Sequence, residues 1–427
     1  MRSRYAAGLL ISAAVVVPAC GSGSHPGHGS APSTPTNATT VTIGPPTVPS
    51  TVPRRVDLGT LGGSFSAPTA MSGTVVVGVS ATPGGGSNAR GHAFAEDLAA
   101  AHPHMIDLGT LGGRFSSANA IDGSWVVGEA DSADGASHPF AYDLAAAVPH
   151  MIELGGVIPN CYASAIRGTW VVGSCTAGEH QNESRAFASN LAAASPHMID
   201  LGTLGGATAT AFATDGTWAV GYSTTHDGQA HAFAYDLRAA RPKMIDLGTV
   251  GHAPYSRADY VQRGWVLGES PPATFASDLN AAKAAVTDIG SLGPGGAAPT
   301  GADDGWVVGR SATADGAEHA FAYDFAAPFP RLVDLGTLGG RRSAAAAVAG
   351  DWVVGTAAAA DNQDHVFACD LGAPHPTMLD LGDDLGDPSA QGSTTPVAVG
   401  AGWVVGGPVA TRGGLVGHAW AVQIPGA

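Results

Sequence analysis

The sequence is poor in positive charge. Lys243 and Lys283 are the only lysines, and 19 basic residues face 35 acidic ones, for a net charge of −16. A surface this acidic repels phosphate backbones and anionic headgroups, which argues against nucleic acid and against direct docking on an anionic bilayer. Long apolar runs are also missing. The longest, Ala6 to Val17, is twelve residues, short of the roughly 20 that a membrane-spanning helix requires. Cysteine is sparse: Cys20, Cys161, Cys175 and Cys369.

The short apolar run has a different meaning. Arg2 and Arg4 precede it, and Val17-Pro18-Ala19-Cys20 follows it. A basic start, a short apolar stretch and a small-residue end are the pattern of a secretory signal peptide. The Cys20 context resembles a bacterial lipobox, so residues 1–20 are expected to be a leader, with Cys20 as the lipidated residue. Residues 21–53 are rich in Ser, Pro, Thr and Gly and show no apolar period. Such a segment buries too little apolar surface to fold and reads as a disordered tether. His25 and His28 within it read as spacer.

From residue 54 to the C-terminus the chain repeats itself. Asp57-Leu58-Gly59-Thr60-Leu61-Gly62-Gly63 returns at Asp107, Asp200 and Asp334, with looser copies at Glu153, Asp246, Asp288 and Asp380. Successive starts lie 42 to 50 residues apart. A Trp-Val-Val-Gly signature follows, led by Trp125, Trp170, Trp218, Trp265, Trp306, Trp352 and Trp403. Then comes His-Ala-Phe, as in His92-Ala93-Phe94 and His231-Ala232-Phe233. Each signature occurs eight times, so there are eight units. A fixed period of this length marks stacked or ring-forming supersecondary units.

The three motifs in this order resemble the HAF-repeat family of extracellular proteins. The likeness covers roughly Arg54 to the C-terminus. It implies a secreted or surface β-repeat protein and carries no activity with it.

Each unit contains four short candidate strands. In the second they are Ser116 to Ile121, Trp125 to Ala130, His138 to Leu144 and Met151 to Leu154, with Asp122-Gly123 and Asp134-Gly135 as turn signals. Four antiparallel strands per unit is the recipe of a propeller blade. The Asp-Leu-Gly strand near Val56 precedes any complete unit, and the last unit, from Thr394, stops after its third strand. The expectation is therefore an all-β, eight-bladed β-propeller over residues 54–427, closed by the N-terminal strand. A β-solenoid is the alternative. The small-residue strand, such as Ser117 to Ala120, is expected innermost and the Asp-Leu-Gly strand outermost.

Most repeated residues read as scaffold. The tryptophans are expected between blades as core. The His of His-Ala-Phe is expected to hydrogen-bond between strands, and the Asp of Asp-Leu-Gly to cap backbone amides. Six histidines placed one per blade are too far apart to share a metal, and neither a metal nor a cofactor is indicated. Asp131-Ser132-Ala133-Asp134-Gly135 and its equivalents at Asp227 and Asp315 read as turns, since the later Glu of a calcium loop is missing. Cys161 and Cys175 flank a hairpin and suit a cross-strand disulfide, although a two-residue turn at Arg167-Gly168 would put Cys161 opposite Ser174. Cys369 reads as a small buried residue.

Function is sought where the units differ. The connections that lead into each first strand carry Ser64-Phe65, Arg114, Phe115, Asn160, Tyr162, His252, Tyr255, Arg341 and Arg342. Arg114, Phe115, Tyr162, His252, Tyr255, Arg341 and Arg342 are the candidate ligand-binding residues, with a chemistry suited to a sugar, a peptide or an acidic group. No catalytic set stands out: Asp303 and Asp304, and Asp383, Asp384 and Asp387, lie in turns. The expected function is a monomeric, surface-anchored, non-catalytic binding or scaffold protein of the bacterial envelope, touching the membrane only through its lipid. Its partner would be an envelope glycan, peptide or protein. The alternative is an extracytoplasmic propeller hydrolase acting on a glycan or peptide.

Overall fold

A computed structural model describes residues 41–42, 45–48, 53–84, 91–155, 160–177, 183–282, 284–327, 330–382, 394–408 and 417–427. Cys20, the leader, most of the stretch read as a tether, and Asp383, Asp384 and Asp387 lie outside these residues. Among those described the chain is all β, with no helix long and apolar enough to cross a membrane.

The strands pair as four-stranded antiparallel meanders, eight among the described residues. Unit two runs Gly112–Asp122, Trp125–Ser132, Ser137–Asp143 and Met151–Glu153, one or more residues longer at several ends than the sequence pattern suggested. The first hairpin encloses Gly123 and Ser124, with Asp122 opposite Trp125, and Gly123 takes a φ of 58° that glycine adopts freely. The last meander is completed from the other end of the chain. Arg55–Gly59 pairs antiparallel with Ala419–Gln423, placing Asp57 opposite Trp420.

One packing arrangement recurs in all eight units. The glycine ending Trp-Val-Val-Gly sits directly across the ladder from the aromatic of His-Ala-Phe: Gly78 faces Phe94, Gly309 faces Phe321 and Gly406 faces Trp420. A Cβ on Gly78 would collide with the Ala67 carbonyl oxygen and stand 2.9 Å from the Phe94 ring. The glycine therefore makes room for both. The phenylalanines are the largest fully buried side chains, including Phe94, Phe140, Phe233, Phe275, Phe321 and Phe367.

This corrects the expectation for the tryptophans. All but Trp403 are only half-buried and pack at the margins of the core clusters. Trp306 keeps its indole N–H within 3.2 Å of the Asp351 carboxylate. An indole carries a polar group that usually seeks a partner, and for Trp306 the margin supplies one; Trp420, which takes the central position of phenylalanine in unit eight, is buried with its indole N–H unpaired.

The first strand of each unit packs on the first strand of the next, and that of unit eight packs on that of unit one. The core follows the same course. One cluster joins Leu58, Trp403 and Val405 to Met71, Val76 and Phe94, so units eight and one share a core. A serine ties neighbours together. Ser116 Oγ accepts from the Ala93 amide and donates to the Gly109 carbonyl. Ser256 and Ser343 repeat this with Ala232 and Ala320. Ser66 makes the same pair of bonds to Ala419 and Gly59, across the junction of the two chain ends.

The stretch read as a disordered tether is not wholly free. Val41–Thr42 pairs parallel with Val333 and Asp334, and Thr47 bridges to Leu379. Uncharged, β-branched residues in extended chain are suited to an open sheet edge.

The burial pattern predicts unequal costs for two aromatic truncations. Phe321→Ala should destabilise by about 3–5 kcal/mol, the usual range for a buried phenylalanine. Trp306→Ala should cost clearly less, because its ring is half in solvent. Chemical denaturation of both variants checks the order, and a larger loss for Trp306→Ala would contradict it.

Candidate functional site

The first strand of every unit carries a β-bulge at the same place, three to five residues before its hairpin turn. Ladder pairing skips Thr69, Asn119, Ser164, Phe212, Asp259, Thr300, Ala346 and Val397. A bulge frees a side chain from the ladder and redirects it. These eight side chains differ in kind, although the motifs around them repeat. Some tie units together: Thr69 donates to the Ala118 carbonyl, Asn119 to that of Ala163, and Thr300 to that of Ala345.

The residues two places before the bulge, and those opposite them on the second strand, also vary. In units two to five these pairs are Ser117 with Glu129, Tyr162 with Ser174, Thr210 with Tyr222, and Arg257 with Glu269. In units one, seven and eight they are Ala67 with Val79, Ala344 with Thr356, and Thr395 with Gly407; unit six adds Ala298 with Arg310. Large polar and aromatic groups are thus concentrated on one side.

They form a connected arc. Arg257 Nε lies 2.7 Å from Asp259 Oδ1 and 3.3 Å from Glu269 Oε1. Tyr255 donates its hydroxyl to Glu269 Oε1 at 3.1 Å. The Arg257 guanidinium sits 5.8 Å from the centre of the Phe212 ring, and Phe212 lies 5.8 Å from Tyr222 at a 33° tilt. Tyr162 is close enough to Tyr222 and Glu129 to feel both, and its phenol bonds Ser174. Glu129 accepts from the Ser137 hydroxyl at 3.2 Å. The Ser164 hydroxyl, at the bulge of unit three, is buried and makes no protein hydrogen bond.

Burial dominates the electrostatics. Asp259 is pushed up to about 7, because its burial and the nearby Glu269 carboxylate outweigh the attraction of Arg257. One guanidinium does not neutralise two carboxylates in a poorly solvated place, so the pair retains a proton close to neutrality. Glu129 is raised as well, by burial first. Aromatic faces beside carboxylates and hydroxyls suit a ligand with hydroxyls or a cationic group.

The seven candidates from the sequence fall in different surroundings. Tyr162 and Tyr255 belong to the arc. Arg342 is engaged by Asp364, with N–O distances of 3.1 and 2.8 Å, and Arg341 is exposed, its charge reaching the acidic Asp315. Arg114 is exposed and Phe115 half-buried within the first strand of unit two, and His252 is exposed on the segment leading into unit five. Sequence reasoning missed Glu129, Phe212, Tyr222, Arg257, Asp259 and Glu269. A usable signal was present: the residue after Trp-Val-Val-Gly varies as Val79, Glu129, Ser174, Tyr222, Glu269, Arg310, Thr356 and Gly407.

Other singled-out residues serve the frame. The repeated histidines pair with the Asp-Leu-Gly carboxylate through Nδ1, from His231 with Asp246 at 2.9 Å to His138 with Glu153 at 3.1 Å. His418 makes the same pair with Asp57 from the other end of the chain. The aspartates also cap the glycine two residues on, as Asp107 does for the Gly109 amide. Asp134 accepts from Ser132 and the Ala136 amide within its turn. Among the described residues no group of three His, Cys, Asp or Glu is arranged to hold a metal. Asp303 is not a solvated turn residue as its sequence context suggested: it is fully buried, accepting from Gln262 and the Gly350 amide. Asp304 is exposed and paired with Arg263.

Cys161 lies opposite Cys175, bonded through sulfur, with Cα atoms 4.0 Å apart. The hairpin encloses Gly168 and Thr169, since Arg167 pairs with Trp170. That turn alone would put Cys161 opposite Thr176. The bulge at Ser164 shifts the register by one and brings Cys175 into place. Cys369 is free and buried.

No family profile matches the chain, and no curated protein matches it in sequence. Solved structures do. A puromycin hydrolase is 14% identical, covering 86% of this chain and 61% of that one, with a TM-score of 0.44. A puromycin-hydrolyzing peptidase of Mycobacterium tuberculosis is 14% identical, covering 83% and 59%, at 0.42. The β-propeller domain of the Trilobed protease from Pyrococcus furiosus is 11% identical, covering 72% and 94%, at 0.42. The chain spans about three fifths of the two puromycin-cleaving proteins.

Glu96 is a further buried carboxylate outside the arc. It is 3% exposed, its Oε2 makes no hydrogen bond, and burial raises it to about 7, with His104 opposing and Asp57 adding to the shift. Between about pH 4.5 and pH 7 the folded chain keeps a proton that the unfolded chain has lost, so stability falls as pH rises through that window. Glu96→Gln should raise the melting temperature above pH 7 and reduce the slope of melting temperature against pH below it. Calorimetry across this range checks it; a variant with an unchanged slope would mean that Glu96 is ionised in the fold.

Proposed function

We propose that this chain is a non-catalytic binding protein of the bacterial envelope, held at the membrane by a lipid on Cys20. Its repeats form an eight-bladed β-propeller closed by Arg55–Gly59. The eight meanders, the shared core of units eight and one, and the Ser66 bonds across the chain ends support the ring. The lipobox-like sequence and the acidic surface support the location. The partner is an envelope glycan, peptide or protein.

The observation that carries the binding reading is the one-sided wall. A purely structural array needs no cluster of Tyr162, Phe212, Tyr222, Arg257, Asp259 and Glu269 on three adjacent blades. Aromatic faces take the apolar face of a sugar ring or a cationic head, and the flanking carboxylates accept its hydrogen bonds. Asp259, protonated close to neutrality, is also the group best suited to give up a proton, which is what the hydrolase reading would use.

Glycan and peptide arrays probed with the purified protein test this. Tyr222→Ala and Arg257→Ala should each weaken binding of a captured ligand about tenfold or more, equivalent to ~1.4 kcal/mol. The double change Arg341→Ala with Arg342→Ala should leave binding nearly unchanged, because both charges face acidic neighbours. Loss of binding only in the arginine pair would move recognition to the lead-in segments. Turnover of a glycan or peptide that disappears in Asp259→Asn would replace the binding reading with the hydrolase.

A further inference from the structure

The chain's own Val41–Thr42 and Thr47 show how backbone can dock on the outer edges of the units. Val41 lies opposite Val333, and Thr47 opposite Leu379, both in parallel register. Val333 and Leu379 hold the same place in consecutive units, immediately before the Asp of Asp-Leu-Gly. Val41 and Thr47, six positions apart in the sequence, thus lie on one outer edge and on the next. The contact is made by backbone: the Thr47 amide donates to the Met378 carbonyl at 2.9 Å, and its carbonyl accepts from the Asp380 amide at 3.0 Å.

Units one to four present the same place uncovered. The equivalent residues are Ile106, Ile152, Ile199 and Ile245, and among the described residues no strand lies on the outer side of their sheets. Ile106 is 45% exposed and Ile199 36%, two of very few large apolar side chains so open to solvent. An open strand edge with exposed isoleucine invites another strand. Four open edges follow in a row, two of them with the isoleucine exposed, each ending in the Asp-Leu-Gly or Glu-Leu-Gly element that the covered edges also carry.

We propose that the outer edges of units one to four form a docking track for an extended peptide of the same chemistry as residues 41–48. The occupant is an uncharged partner segment, with β-branched residues six apart and a proline-containing spacer between them. It adds to each edge in parallel, by backbone hydrogen bonds, and covers the isoleucines with its β-branched side chains. The track is separate from the arc.

A fluorescent peptide with the sequence of residues 39–49, titrated with the full chain and read by anisotropy, tests the proposal. Saturable binding is expected. Any two consecutive edges among units one to four include Ile106 or Ile199. The double variant Ile106→Lys with Ile199→Lys should therefore weaken binding about tenfold or more. Both positions are exposed, so little stability should be lost. A peptide carrying Lys in place of Val41 and Thr47, the two residues that lie opposite Val333 and Leu379, should not bind. No binding by the full chain, or binding undiminished in the double variant, would overturn the proposal. The second result would mean that the peptide only exchanges with the chain's own segment on units six and seven.

Discussion

The structure depends on a glycine facing an aromatic ring across a ladder. In each unit the glycine of the second strand leaves the space that the third-strand aromatic fills, and the first-strand carbonyl closes on the same spot. That carbonyl lies two residues before the bulge of the first strand. The three strands are thereby locked at one point, in one register. A side chain at the glycine would push apart the strands that give each unit its buried centre.

The same defect opens the way to function. A regular first strand would present an unbroken alternation to its neighbours. The bulge releases one residue per unit from that pattern, and the released residues need not be alike. Three of them fasten adjacent units through carbonyls, whereas Phe212 and Asp259 are part of the arc. Variation is therefore tolerated next to the most constrained point of the unit. The link between units is equally economical: one serine hydroxyl satisfies a donor and an acceptor on two neighbouring segments. Its recurrence at Ser66, where the two ends of the chain meet, makes that junction chemically equivalent to internal ones.

What could be read in the sequence followed from periodicity. Repeated Asp-Leu-Gly and His-Ala-Phe implied strands of fixed order, the pairing of histidine between strands, and aspartate caps, because those roles are local. Roles set by packing were less legible. Tryptophan read as core, and only the ladder shows that Phe321 faces Gly309 while Trp306 reaches toward Asp351. The bulges leave no mark in the motifs, so the partner of Cys161 depended on a register shift that no turn rule supplies. Loops drew attention as the natural home of variation, and the arc lies instead on strands. The parallel pairing of Val41–Thr42 was hidden because a Thr- and Pro-rich segment has no apolar period of its own.

Amide hydrogen exchange on the native protein tests the central claim most directly. The Ala419 amide, bonded to Ser66 across the chain ends, should be protected to the same degree as its equivalents Ala93, Ala232 and Ala320. All four should open only with unfolding of the whole domain. Fast exchange at Ala419, with Ala93, Ala232 and Ala320 still protected, would show that the chain ends fray and that the ring is not closed.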